Sequence, residues 1–178
     1  MQKMIVKGKI DFPTNKLVVS DLIYQEGSGY AVTLEIQPGE YAYYVDFKEE
    51  NGTKYVASIS LVESQAKISN LRSKKLVGRI MVDVGFAGFF DNRLDYSSDE
   101  RWDAIGQLLL TKTPAVVEAK PENAFMCNGI VTTAGDGDGI YGVYELVDKN
   151  DVCHGYKLRP TLAPTLTVPL FSDPLTPF

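Results

Sequence analysis

Apolar and polar positions alternate along most of this chain in short runs, and turn residues separate the runs. Tyr55, Ala57, Ile59 and Leu61 recur at every second position, which puts one face of 54–62 toward a core. Apolar or β-branched stretches at 4–10, 17–24, 30–36, 41–47, 76–84, 125–133, 140–147 and 152–158 predict further strands. Between them lie Pro13–Lys16, the Gln37-Pro-Gly-Glu40 sequence of a type II turn, the Asn51-Gly52 signal of a hairpin and a second hairpin turn at Lys149-Asn-Asp151. A polar connector covers 63–75, and no repeat of fixed period is visible.

One segment carries the helical period instead. Ser97 and Glu100 form a capping box, Asp99 and Glu100 sit where the helix dipole favours acids, and Trp102, Ile105 and Leu109 share a face. The spacing predicts a helix around 98–110 that is anchored on a sheet by Trp102 and stopped before Pro114. The expected fold is mainly β (β-rich α+β): an antiparallel β-sandwich or partly open barrel with one covering helix.

The last residues differ in character. Pro160, Pro164, Pro169, Pro174 and Pro177 alternate with Leu162, Leu166, Val168, Leu170, Phe171, Leu175 and Phe178, and Asp173 is the one charged side chain after Arg159. Disordered tails are polar and charged, so this segment is expected to lie extended on an apolar surface of its own domain or of a neighbouring subunit. Residues 1–159 then form a single domain, with 160–178 as an added tail through which a homo-oligomer could be held.

Charge and cysteine content narrow the function. A formal net charge of -5 over 178 residues argues against binding duplex nucleic acid and leaves open a basic protein partner or a small anionic ligand in a local basic pocket. Cys127 and Cys153 make no disulfide framework or metal motif, and neither a signal peptide nor a membrane span is apparent. A cytoplasmic protein with reduced thiols is expected.

No catalytic centre is recognisable, and no cofactor is implied. There is no GxSxG and no Walker A pattern. His154 reads as a satisfied strand residue, and its neighbour Cys153 should point to the opposite face. Gly135-Asp-Gly-Asp-Gly139 has glycine spacing without a Lys, and Asp136 and Asp138 lack the later ligands of a calcium loop. The segment Asp83-Val-Gly-Phe-Ala-Gly-Phe-Phe-Asp91 sets two acids around small and aromatic residues, and its glycines predict a bulge or a close backbone approach. Its acids can cap turns. Convergence of Asp83, Asp91 and Asp138 would instead make a carboxylate cluster suited to a metal.

Leu17-Val-Val-Ser-Asp21, Gln37-Pro-Gly-Glu-Tyr41, Asp83-Val-Gly-Phe-Ala-Gly-Phe-Phe-Asp91, Trp102-Asp103 and Gly135-Asp-Gly-Asp-Gly-Ile-Tyr141 follow one another in that order. The order resembles the DUF4241-type proteins of bacteria and phages, a family of unknown function, over about residues 10–159. The family's Pro and Cys after Asp21 are Leu22 and Ile23 here, and its Ser after Asp83 is Val84, which removes a hydroxyl from that segment. The resemblance implies a shared purpose, in folding or function, for Asp21, Asp83, Gly85, Gly88, Asp91, Asp138, Gly139 and Tyr141.

The resulting expectation is a non-catalytic binding protein that engages a protein partner, of the inhibitor or immunity kind in phage–host conflict. A small-ligand or nucleotide-binding protein, a metal-dependent hydrolase using the clustered Asp residues and an assembly protein using the tail are the alternatives. The expected contacts with ligand or partner are Asp21, Asp83, Phe86, Asp91, Asp136, Asp138 and Tyr141.

Overall fold

The computed structural model describes residues 5–21, 30–91, 106–109, 114–119, 127–135 and 137–161. Among them eleven strands follow in order: β1 (Ile5–Phe12), β2 (Lys16–Asp21), β3 (Val32–Glu35), β4 (Gly39–Glu50), β5 (Thr53–Glu63), β6 (Arg72–Val82), β7 (Phe86–Asp91), β8 (Ala115–Val117), β9 (Gly129–Thr133), β10 (Gly139–Val147) and β11 (Cys153–Pro160). A 3-10 turn at Ile68–Asn70 interrupts the polar connector after β5, and residues 106–109 form the helical segment α1. The rest of the helix expected over 98–110, with its capping box and Trp102, lies outside the described residues.

The strands make a six-stranded sheet, β1-β4-β5-β11-β10-β6, and a five-stranded sheet, β3-β2-β7-β9-β8. All pairings are antiparallel. Alternate residues of both sheets meet in one core, with Phe12, Tyr41, Val45, Leu61, Ile80 and Val143 from one side and Leu17, Val19, Phe89 and Ile130 from the other. The architecture is therefore the sandwich, not the partly open barrel. No helix among the described residues is long and apolar enough to cross a membrane.

The sandwich is built from a five-stranded unit used twice. In the first unit Ile10 pairs with Tyr41 and Phe12 with Gly39; in the second, Ile80 pairs with Tyr141 and Val82 with Gly139. Each unit then crosses to the other sheet through three residues, 13–15 or 83–85. The crossing strands β2 and β7 pair with each other about Val19 and Phe89, so that Leu17 meets Asp91 as Ala87 meets Asp21. In the other sheet β5 and β11 pair about Ser60 and Lys157. A pseudo-twofold axis through both pairs relates β1, β2, β3, β4 and β5 to β6, β7, β9, β10 and β11. Hydrogen bonds outside the strands repeat with it. Ile36 N–H donates to the Asn15 carbonyl at 2.9 Å, and Ala134 N–H to the Gly85 carbonyl at 2.7 Å. Ser64 N–H donates to the Glu40 carbonyl at 3.2 Å, and Thr161 N–H to the Ile140 carbonyl at 3.1 Å.

The units differ most between β7 and β9, where the longer connection supplies α1 and β8. Leu109 of α1 and Cys127 there pack with Ala115 and Val117 of β8 against Phe90 and Val131, on the outer face of the five-stranded sheet. This is the covering role the sequence assigns to its helix.

Two local expectations change. The strand expected over 76–84 begins at Arg72 and stops at Val82, and the glycine-rich stretch after it is itself a strand. A Cβ on Gly88 would lie 2.1 Å from the Ile130 carbonyl oxygen, so this glycine does allow a close backbone approach. At the other site Gly39 has φ 147°, far from the roughly 80° of a type II turn. The Asn51-Gly52 hairpin matches its signal, with φ of 52° and 77° at the two turn residues.

Candidate functional site

The acids singled out in the sequence take up structural positions. Asp21 is fully buried, and its Oδ2 accepts from the N–H groups of Asp83 at 2.7 Å and Val84 at 3.0 Å. It thereby caps the turn that links β6 to β7. Asp91, also fully buried, accepts from Asn128 N–H at 3.1 Å. The β2–β7 register sends Asp21 and Asp91 to opposite ends of the sheet. Asp83 stands at the Asp21 end, and Asp138, just before the Gly139–Val82 pair, is beside it. Asp91 is a strand length away, so Asp83, Asp91 and Asp138, whose convergence the sequence leaves open, do not meet. Among the described residues no group of three His, Cys, Asp or Glu side chains could hold a metal ion. The extended run of β7 holds Asp83 and Asp91 apart, and its antiparallel pairing with β2 separates Asp21 from Asp91. Asp136 lies outside the described residues. Phe86 is half-buried against the cluster under α1, and Tyr141 is a core residue whose hydroxyl donates to the Gly137 carbonyl at 2.8 Å.

A different group of residues lines the cleft. Where the end of β5, the start of β11 and the 36–38 link meet, a cleft of about 480 Å³ opens between Glu35, Gln37, Tyr41, Glu63, Cys153 and His154, with Asn15 and Tyr156 also on its walls. His154 Nδ1 lies 2.9 Å from Glu63 Oε2, and its Nε2 lies 3.6 Å from Asp148 Oδ2. The hydrogen bond to Glu63 holds the imidazole above its ordinary pKa, and Asp148 adds to this. Asp148 is held below its own ordinary value, first by the Val152 N–H. Burial raises Tyr41 to about 12, with Glu63 adding to the effect, and burial beside Cys153 raises Tyr156 to about 12. Burial also raises the Cys153 thiol. The two tyrosines are therefore neutral walls at physiological pH.

Cys153 and His154 both line this cleft, although adjacent strand residues alternate faces; they stand at the first positions of β11, beside the register shift between Leu146 and Val147. Their polar atoms take different partners, Cys153 Sγ reaching the Gly155 carbonyl and His154 reaching Glu63. The sequence carries no local signal for the His154–Glu63 pair, because it forms only when β11 lies on β5.

The pseudo-twofold axis carries this cleft onto a second position, where Thr133, Gly135, Pro160 and Ala57 stand in place of Glu35, Gln37, Glu63 and His154. There the cavity has shrunk to about 10 Å³, barely the room of one water. A Cβ on Gly135 would meet the Val56 carbonyl oxygen at 2.2 Å, so the backbones themselves close the gap. Tyr41 and Tyr141 are retained in both. The shared tyrosine belongs to the fold; Arg159 lines the closed position, whereas the Glu, Gln and His side chains line the open cleft alone. No family model matches the chain, and neither a curated protein nor a solved structure matches it.

Proposed function

We propose that this protein is a non-catalytic binding protein whose cleft beside His154 receives a small polar ligand bearing an amine or guanidinium group. The observation that carries this reading is the contrast between two equivalent positions. One fold builds the same recess twice, and the recess is closed in one unit, where Thr133, Gly135, Pro160 and Ala57 stand, but open and lined by Glu35, Gln37, Glu63 and His154 in the other. Folding requires no such set of side chains, since the closed counterpart does without it. The volume of the open cleft falls in the range of small-ligand sites. Glu35 and Glu63 outweigh the single base His154, and the chain as a whole is acidic, so a cationic group is the complementary one.

The test is ligand-observed NMR of the full chain with matched small amines, guanidinium compounds, carboxylates and nucleotides. Amines and guanidinium compounds should bind, and the combined variant Glu35→Thr/His154→Ala, which installs the side chains of the closed counterpart, should lose that binding. Equal binding to wild type and variant would place the ligand elsewhere and end the reading.

A protein partner, inhibitor- or immunity-like, is the second reading, and the same acidic cleft favours it because a partner's Arg or Lys side chain would meet the same chemistry. An affinity for a folded basic protein far above that for any free amine would select it.

A further inference from the structure

The twofold comparison exposes a second asymmetry, at the corner where β6 and β10 end. Ile140 pairs across the strands with Met81, whose N–H donates to the Tyr30 carbonyl at 3.4 Å, and Val84 follows in the next turn. Ile140 is 51% exposed, Tyr30 43% and Val84 37%. The equivalent positions at the other corner are Glu40, Asp11, Asn128 and Thr14, and Glu40 is paired with Lys9 there. The same backbone corner is thus polar in one unit and apolar in the other, so packing of the sandwich does not demand the apolar version. Grouped exposed apolar side chains of this size mark a contact surface.

What leaves each corner matches its character. At the polar corner Ser64 N–H bonds the Glu40 carbonyl, and the chain continues as the polar connector through Gln65, Lys67, Ser69 and Asn70. At the apolar corner Thr161 bonds the Ile140 carbonyl through both its N–H and its hydroxyl. The chain continues there as a segment rich in Leu, Val, Phe and Pro, with Asp173 as its one charge. We infer that the corner formed by Tyr30, Met81, Val84 and Ile140 is the seat of the chain's own C-terminal segment, residues 162–178. Proline removes backbone donors and favours an extended path, so such a segment can lie on an apolar surface without leaving many N–H groups unpaired. Its attachment at Thr161 gives it a local concentration in the millimolar range, which favours the intramolecular seat over the same segment of a second copy. The inference is independent of the cleft.

Limited chymotrypsin digestion of the full chain tests it, read by mass spectrometry at Leu170 and Phe171. Cleavage reports the undocked fraction when docking is fast. Ile140→Glu with Val84→Thr places the side chains of the polar corner on this one, at exposed positions where folding is not at risk. Cleavage in that variant should be about tenfold faster than in wild type, while Val152→Glu, a change at an exposed apolar residue of the other hairpin end, should leave the rate unaltered. Equal rates in wild type and the double variant would overturn the inference, as would equal acceleration by Val152→Glu. A wild-type dimer that the double variant converts to monomer would give the seat to a second copy and overturn the intramolecular form.

Discussion

Tyr41 and Tyr141 perform one task at two places related by the pseudo-twofold axis. Each donates its hydroxyl hydrogen to the carbonyl four residues earlier, Tyr41 to Gln37 and Tyr141 to Gly137, both at 2.8 Å. Each follows a glycine two positions before it with nearly the same dihedral, φ 147° at Gly39 and 149° at Gly139. Each ring is buried and faces an isoleucine across the strand pair, Ile10 or Ile80. The arrangement ties the entry turn of β4 or β10 to the core.

Tyr41→Phe and Tyr141→Phe should therefore destabilise by similar amounts, about 1 kcal/mol each, since each leaves one carbonyl without its donor. Urea unfolding checks this through the midpoint at unchanged slope. A loss in only one of the two would mean that the tethers are not equivalent.

Asp21→Ala should cost about 2–3 kcal/mol, because two N–H groups of the β6–β7 turn lose a charged acceptor in a buried setting. Asp21→Asn keeps one acceptor oxygen and should lose less. Thermal unfolding of both variants measures the difference, and a neutral Asp21→Ala would refute the capping role.

Two glycines should respond in opposite directions to alanine. Gly88→Ala drives a methyl into the Ile130 carbonyl and should destabilise by about 1–3 kcal/mol. Gly106, in α1, has open space around the Cβ position, and Gly106→Ala should stabilise by about 0.5–1 kcal/mol through helix propensity. Denaturant midpoints of the two variants decide the matter.

The His154 pair predicts a pH dependence of stability. A raised pKa means that the folded state holds this proton more tightly than the unfolded chain does. The contribution is then complete below the unfolded value near 6.5 and is lost as the pH rises through the raised folded value. Wild type should lose more stability than His154→Gln on going from pH 6 to pH 8, and parallel curves for the two proteins would refute the assignment. In the same window Glu63 is released from its cationic partner, so binding of an amine in the cleft should strengthen with pH.

The strand at 54–62 and the hairpin at Asn51-Gly52 follow from local strand preference and turn chemistry, but the expected alternation does not hold along the strand: a bulge opposite Asp46 and Phe47 turns Val56, not Tyr55 and Ala57, into the core with Ile59 and Leu61. Two elements were obscured. β7 holds one glycine and three phenylalanines directly after a turn, and only the close fit of Gly88 on Ile130 shows why a strand is made that way. β8 is three residues long and takes its identity from pairing with β9. The pseudo-twofold relation leaves few marks in the sequence. Gly8 and Gly78, Ile10 and Ile80, Asp21 and Asp91, Gly39 and Gly139, and Tyr41 and Tyr141 are identical, but the inserted α1 and β8 change the spacing between equivalents along the chain, and a fixed period disappears.

The sequence by itself determined the β class, the principal turns, the acidic surface and the apolar nature of the C-terminal segment, all of which follow from side-chain period, backbone preference and charge. The tertiary structure decided where the chemistry lies. Glu63 and His154 are 91 positions apart and come together only through the β5–β11 pairing, while Asp83 and Asp91, close in sequence, are driven to opposite ends of one strand. Strand register sets the first distance, and register depends on how whole faces pack against each other, which no local pattern contains; the second follows from the extended run of β7.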